Sequence, residues 1–286
     1  MIKHAKYSIV VMLAALSCGN EGVDPPEESN DFDAIYNIIR FDTVNEFNLD
    51  LQDFSLPDTT GFFTGPYTPV RFWRQLNHDS LFINIEINDP EPGDTIGSVR
   101  WANVHVIKYF YGSFELMAVD SAGDDVRLSK PFAIPGSINA VFQKVGFDHN
   151  SRRGWVLSRV GDGGFNQNGP AIREFSYWAV DDPGHIYHSA ALRDLGDIPE
   201  FSPGDSISAR LTTVLPGHFV SARFRTVSGL VTREAIVESD TSFSTGFVVP
   251  PFQGFDRFLV EIFAAGTVSD TIRYESMGMA PIYRVR

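Results

Sequence analysis

The sequence predicts an all-β protein, two antiparallel β-sandwich domains in tandem behind a leader and an acidic spacer. Three observations lead there. Apolar residues alternate with polar ones in short runs, the period of half-buried strands. The 24 glycines and 17 prolines fall between those runs as punctuation. No helical stretch long enough for a βαβ crossover separates them, so the strands read as a sandwich or barrel.

The chain opens with MIKHAKYSIVVMLAALSC. Lys3, His4 and Lys6 form a basic start, and Tyr7 to Leu16 an apolar run of ten residues. That is half the roughly 20 residues a membrane-spanning helix needs, so the stretch reads as a secretory signal. Ala15-Leu16-Ser17-Cys18 resembles a bacterial lipobox, with Ala15 where leucine is commonest. The resemblance implies that residues 1–17 are a lipoprotein signal peptide, that cleavage precedes Cys18, and that Cys18 carries diacylglycerol and an acylated amine. Each buried CH₂ of such a chain contributes about 0.8 kcal/mol, so two or three chains anchor durably. Cys18 is the only cysteine, so no intramolecular disulfide competes for it. The alternative is an ordinary cleaved signal in which Cys18 is incidental.

Residues 18–32 (CGNEGVDPPEESNDF) have no apolar period and read as a flexible acidic linker. Fourteen extended residues beyond Cys18 reach about 45 Å. An acidic stretch behind a lipidated cysteine is also similar to the surface-export signals of some bacterial lipoproteins.

The first sandwich is placed at 33–165. Ile35, Ile39 and Phe41 alternate in AIYNIIRF, and Phe47, Leu49 and Leu51 in EFNLDLQ. The clearest strand is 81–87: Leu81, Ile83, Ile85 and Ile87 share one face, with Phe82, Asn84 and Glu86 on the other. Asn88-Asp-Pro-Glu-Pro-Gly-Asp94 ends it in a turn. Further strands are expected at 98–109, 113–119, 126–133, 138–147 and 154–160. Gly161-Asp-Gly-Gly-Phe-Asn-Gln-Asn-Gly-Pro170 is read as the boundary between domains. The second sandwich, 166–286, is expected to carry strands at 172–180, 185–189, 206–215, 219–226, 231–238, 242–248, 258–264, 271–274 and 282–285. Ile207, Ala209 and Leu211 share a face, as do Val220, Ala222 and Phe224. A helix-like turn is expected at 190–195.

Pro92-Gly-Asp and Pro203-Gly-Asp recur 111 residues apart. SPGDSISARLTT resembles the strand opening of bacterial immunoglobulin-like modules. With the lipobox, the chain is similar to bacterial envelope lipoproteins that carry such β-sandwich modules. That resemblance implies an outer-membrane lipoprotein of the cell envelope, periplasmic or surface-exposed, and it transfers no active site.

The chain carries a net charge of −13; without Lys3 and Lys6 of the leader, 21 basic residues face 36 acidic ones, a net −15. Such a surface excludes nucleic acid as a partner. No Gly-x-Ser-x-Gly elbow, P-loop or His-Glu-x-x-His occurs, and the glycine run from Gly161 has Asn166 where a dinucleotide fingerprint needs glycine. His185 and His188 fall on opposite faces of a strand. No catalytic residue is assigned and a non-catalytic protein is expected.

Two ligand-binding candidates remain. Asp89, Glu91 and Asp94 in one turn, and Asp120, Asp124 and Asp125 in another, offer the hard oxygens that Ca²⁺ takes, though acidic turns are also what a protein of this charge shows. Trp73, Trp101, Tyr109, Tyr111 and Trp178 are candidates for stacking on sugar rings, against burial of these rings under loops or the other domain. The function expected is a lipid-anchored, non-catalytic envelope protein in adhesion, scaffolding or structure, its membrane contact made through Cys18 and its other partner an envelope protein or a glycan; the alternative is a surface carbohydrate-binding lipoprotein.

Overall fold

The computed structural model of the chain describes residues 8–13, 28–49, 51, 54–57, 67–90, 99–269 and 273–286. Cys18, Glu91, Asp94 and the Pro92-Gly-Asp turn lie outside them. The expected all-β class is observed, with largely antiparallel pairing.

The segment from Asp31 corrects a strand to a helix. Asp31–Asn37 forms α1, capped by Asn30, whose side-chain oxygen accepts from the Asp33 N–H at 3.0 Å. A π-helical turn follows at Ile38–Asp42. Ala34, Ile35, Ile38 and Ile39 are all buried, a spacing that suits a helical stripe, whereas Ile35 and Ile39 alone fit either period. Asp31 ties α1 to the sheet through Lys144 at 2.9 Å, Arg153 at 3.1 Å and Arg100 at 2.5 Å. Burial alone would raise its carboxyl, but the bonds from Lys144 and Arg153 prevail and hold it at about 2.

Three long strands dominate: β1 (Tyr67–Asn88), β2 (Trp101–Asp120) and β3 (Asp125–Lys144). They join an antiparallel meander. Shorter strands follow: β4 (Trp155–Val160), β5 (Gly163–Gln167), β6 (Ile172–Ala179), β7 (Ser206–Thr213), β8 (Phe219–Thr226), β9 (Gly229–Glu234), β10 (Ser242–Val248), β11 (Gly254–Arg257), β12 (Leu259–Phe263), β13 (Ser276–Ala280) and β14 (Ile282–Val285). The helix-like turn expected at 190–195 is instead the short strand Arg193–Asp194, followed by one 3₁₀ turn over Leu195–Asp197.

One large sheet runs β1-β2-β3-β5-β13-β12-β8-β9, with β4 also on β3. Ser8–Leu13 and Phe54–Pro57 pair along the outer edge of β1. The sheet curls into a half-barrel: Phe72 of β1 meets Phe219 of β8 edge-on at 4.9 Å. Inside the curl lies the first core, with Phe72, Phe110, Phe114, Ile134, Phe165 and Phe263. The glycine-rich stretch read as a boundary is therefore part of the sheet. Gly163–Gln167 pairs with Gly136–Ser137 on one side and Ser276–Ala280 on the other. Its glycines serve close packing: a Cβ on Gly163 would come 2.3 Å from a Leu49 methyl.

A second core is drawn from residues 175–285. It lies between β8 and β12 of the large sheet and a five-stranded sheet, Ile236–Ser239, β10, β7, β6 and Tyr187–His188. Covered on both faces, β12 is buried at every residue and β8 along Phe219–Phe224: Val220, Ala222 and Phe224 enter the second core, Phe219 the first. Arg74 and Glu261 cross the first core as a buried ion pair, Nη1 donating to both carboxylate oxygens at 2.7 and 2.9 Å. The Tyr274 hydroxyl accepts from the same Nη1 at 3.0 Å and donates to Glu261 at 3.1 Å.

Candidate functional site: the outer face of the long hairpin

The pleat of β2 sends Val104, Val106, Phe110 and Phe114 into the core and leaves Trp101, Asn103, His105, Ile107, Tyr109 and Tyr111 on the outer face. In β1 the phase changes midway. Phe72 and Arg74 face inward before a bulge between Leu76 and His78, whereas Ile83 and Ile85 do so after it. The extra residue brings His78 to the outer face opposite Tyr111, Ser80 opposite Tyr109, and Asn84 opposite His105.

An aromatic cluster results. The His78 and Tyr111 rings stack at 4.6 Å, 12° apart, and Tyr109 and Tyr111 lie near-parallel at 6.4 Å. Phe82 meets Tyr109 edge-on at 5.5 Å. His78 is exposed and Tyr109 and Tyr111 are half-buried. Six residues along β2, roughly 20 Å, the character becomes polar. Asn84, His105 and Asn139 occupy one rung across three strands. With Glu86 and Asn103 they line a groove of about 260 Å³. The Asn84 side-chain oxygen is buried there without a hydrogen-bond partner among the described residues. Near-parallel rings offer faces to C–H groups, and amide, imidazole and carboxylate groups offer donors and acceptors to hydroxyls.

Four of the five expected glycan contacts share this face of one hairpin. Tyr109 and Tyr111 are brought together. Trp101 is on the same face at the far end of β2. Trp73 lies opposite Glu115, with the guanidinium groups of Arg71 and Arg127 within 6.0 and 5.3 Å of its ring. Trp178 is in β6 of the other sheet, paired with Ser208, and is not brought to them. Phe82, Asn84 and Glu86 share a face in the sequence pattern; His78 continues the same alternation but lies before residue 81, where the expected strand begins.

The acidic turns are not brought together. Asp89 follows β1 at one end of the hairpin, and Asp120, Asp124 and Asp125 lie at the other, roughly 65 Å along the ladder. Asp89 holds the Arg100 guanidinium at 2.5 Å. Asp120 accepts from the Ala122 and Asp124 N–H groups at 2.8 and 3.0 Å, closing its own turn. Among the described residues no three His, Cys, Asp or Glu side chains are grouped to hold a metal ion. No helix among them is long and apolar enough to cross a membrane. His185 pairs with Asp182 at 2.6 Å in a turn, and His188 faces Glu174 at 4.0 Å. Comparison with protein-family models, curated proteins and solved structures finds no match to this chain.

Proposed function

We propose that this protein is a lipid-anchored, non-catalytic component of a bacterial cell envelope that works by adhesion, and that the face it presents takes a glycan. The His78–Tyr111–Tyr109 stack, with a groove of amides, imidazole and carboxylate farther along the same face, carries the glycan reading. Rigidity favours it too: the rings stand on paired strands, so little ordering entropy opposes binding. Cleavage before Cys18 would also remove Ser8–Leu13, whose backbone runs along Leu81–Glu86 at the edge of β1, next to the groove. An immunoglobulin-like assignment is proposed for the C-terminal half, on the strength of two sheets packed over the second core.

A scaffolding role is the second reading, favoured by a different observation. A groove of about 840 Å³ beside β10 is lined by Val180, Val227, Ile236 and Val248, all exposed, and apolar surface of this kind suits a protein partner.

The anchor is tested by fatty-acid labelling in cells. Label is expected on the wild-type protein and absent from Cys18→Ala; label that persists in the variant contradicts the anchor. The glycan reading is tested on a glycan array, where binding that Tyr109→Ala/Tyr111→Ala abolishes is expected.

A further inference from the structure

The groove of about 840 Å³ beside β10 marks the place where the chain changes sheets. Gly229–Glu234 (β9) belongs to the large sheet and Ile236–Ser239 to the five-stranded one. Ala235 crosses between them, buried, its N–H donating to the Val220 carbonyl at 2.9 Å. The strand beside β10 therefore starts only at Ile236, opposite Ser244. Past that point β10 continues over residues 245–248. They pair with 206–209 of β7 on one side and, among the described residues, with no strand on the other.

This open edge is built to accept a strand. Its sequence, Thr-Gly-Phe-Val, holds none of the charges or prolines that blunt exposed edges. Apolar surface flanks it. The pleat turns Phe247 toward the second core and Val248 away from it. Phe224 and Val227 line the groove from β8 and its end, and Ile236 from the neighbouring strand; Val227 and Ile236 are 83 % and 69 % exposed. Arg233 is the one charged side chain among the described lining residues. Its guanidinium lies 5.4 Å from the Phe224 ring and forms no ion pair among the described residues. The neighbouring carboxylates are directed elsewhere. Glu234 points to the opposite face of β9, Glu238 holds Arg210 at 2.5 Å, and Asp205 accepts from the Ser202 N–H at 2.7 Å.

We propose that residues 245–248 take the C-terminal segment of a partner protein as an added β-strand, with its terminal carboxylate held by Arg233. The proposal rests on the scaffolding reading of this groove and specifies the partner's chemistry. The direction follows from the topology. Ile236–Ser239 runs antiparallel to β10, so a strand added in line with it runs from Val248 toward Thr245. There it meets Ile236 end to end and can go no further along the edge. A chain that ends at this point needs no room to turn. Its carboxylate arrives at the crossing between the sheets, and Arg233 stands three residues before Ile236. Main-chain hydrogen bonds give such a complex its affinity, while alternate side chains of the guest meet the apolar surface on either face. The arginine fork suits a planar carboxylate.

Fluorescence anisotropy on the purified full chain tests the proposal with three synthetic peptides. One is a short peptide of alternating valine and threonine with a free C-terminal carboxylate, the second its C-terminal amide, and the third the same peptide with adjacent prolines at its centre. The carboxylate peptide is expected to bind and the amide to bind about tenfold or more weakly. The proline peptide is expected not to bind, because one of two adjacent prolines removes a donor facing the edge. Arg233→Gln is expected to weaken the carboxylate peptide about tenfold and to leave the amide unchanged. Ile236→Asn/Val248→Asn, at exposed positions, removes apolar surface without adding charge and is expected to weaken both about tenfold. Absence of binding by the carboxylate peptide, equal binding by the proline peptide, or affinity unaltered in Arg233→Gln would overturn the proposal. Equal binding of carboxylate and amide that the asparagine double variant loses would overturn it while leaving the groove a scaffolding surface. Binding of every peptide that this double variant keeps would overturn both.

Discussion

Glu261→Ala is expected to destabilise the protein by about 3–5 kcal/mol, because it leaves the Arg74 guanidinium buried without its counter-charge. Both side chains are almost wholly enclosed, at 1 % and 4 % exposure, and Arg74 Nη1 contacts both oxygens of the carboxylate. They are 187 residues apart in sequence, so the pair links the meander to the C-terminal strands. For a chain of this size the loss lowers Tm by about 6–20 °C. Arg74→Met/Glu261→Met separates two accounts of the pair. Desolvation of both ions offsets most of their attraction, so the apolar double variant is expected to match the wild type within about 1 kcal/mol or exceed it. Denaturant melts of the singles and the double measure this. A double variant as unstable as the worse single would show that the ion pair itself stabilises the fold.

Lys130→Met is expected to cost about 3 kcal/mol. The ammonium is 1 % exposed and donates to the carbonyls of Gly266, Thr267 and Arg273 at 2.9, 2.6 and 3.3 Å. Removing it strands carbonyls, at about 1–3 kcal/mol for each that stays buried. The segment can turn some of them to water, which limits the total and makes the effect local. A lower Tm together with faster proteolysis between residues 264 and 275 is the expected result. An unchanged cleavage pattern would show that the segment is held by its other bonds, among them Thr267 Oγ1 to the Glu275 carbonyl at 2.9 Å.

The strands from Leu81 to Ile87 and from Phe219 to Thr226 could be read directly, because one face of each carries consecutive alternating apolar residues. The pattern divides β2 into 98–109 and 113–119 and β3 into 126–133 and 138–147, and shows only 81–87 of β1, for reasons that lie in tertiary contacts. Gly112 looks like a break, yet it sits inside β2 because a Cβ there would lie 2.2 Å from the Gln75 carbonyl oxygen. Pro131 and Pro135 look like breaks in β3. They fall along 125–135, where β3 pairs with β2 alone among the described residues, and a missing N–H costs nothing on a free edge. The glycines of 161–170 suggest a domain boundary, whereas Gly161, Gly163 and Gly169 serve close approach. Tyr109 and Tyr111 were visible as candidates because a strand puts residues two apart on one side. The alternation of Val220, Ala222 and Phe224 with Arg223 and Arg225 is legible in SARFR, whereas Asp256 and Arg257 arrive from a strand whose placement no local pattern gives. The buried pair of Arg74 and Glu261 left no local trace at all.

The most direct test of the function is binding of the purified protein to immobilised glycans, wild type beside Tyr109→Ala/Tyr111→Ala. Each ring stack of this kind is worth about 1 kcal/mol, so removing both tyrosines is expected to lower affinity about thirtyfold while the melting temperature, set by the cores, moves little. Half-buried positions on the outer face make that separation feasible. Specific binding by the wild type that the double variant loses is the expected result. A wild-type protein that binds no glycan, or a variant that binds as well, contradicts the assignment of this face.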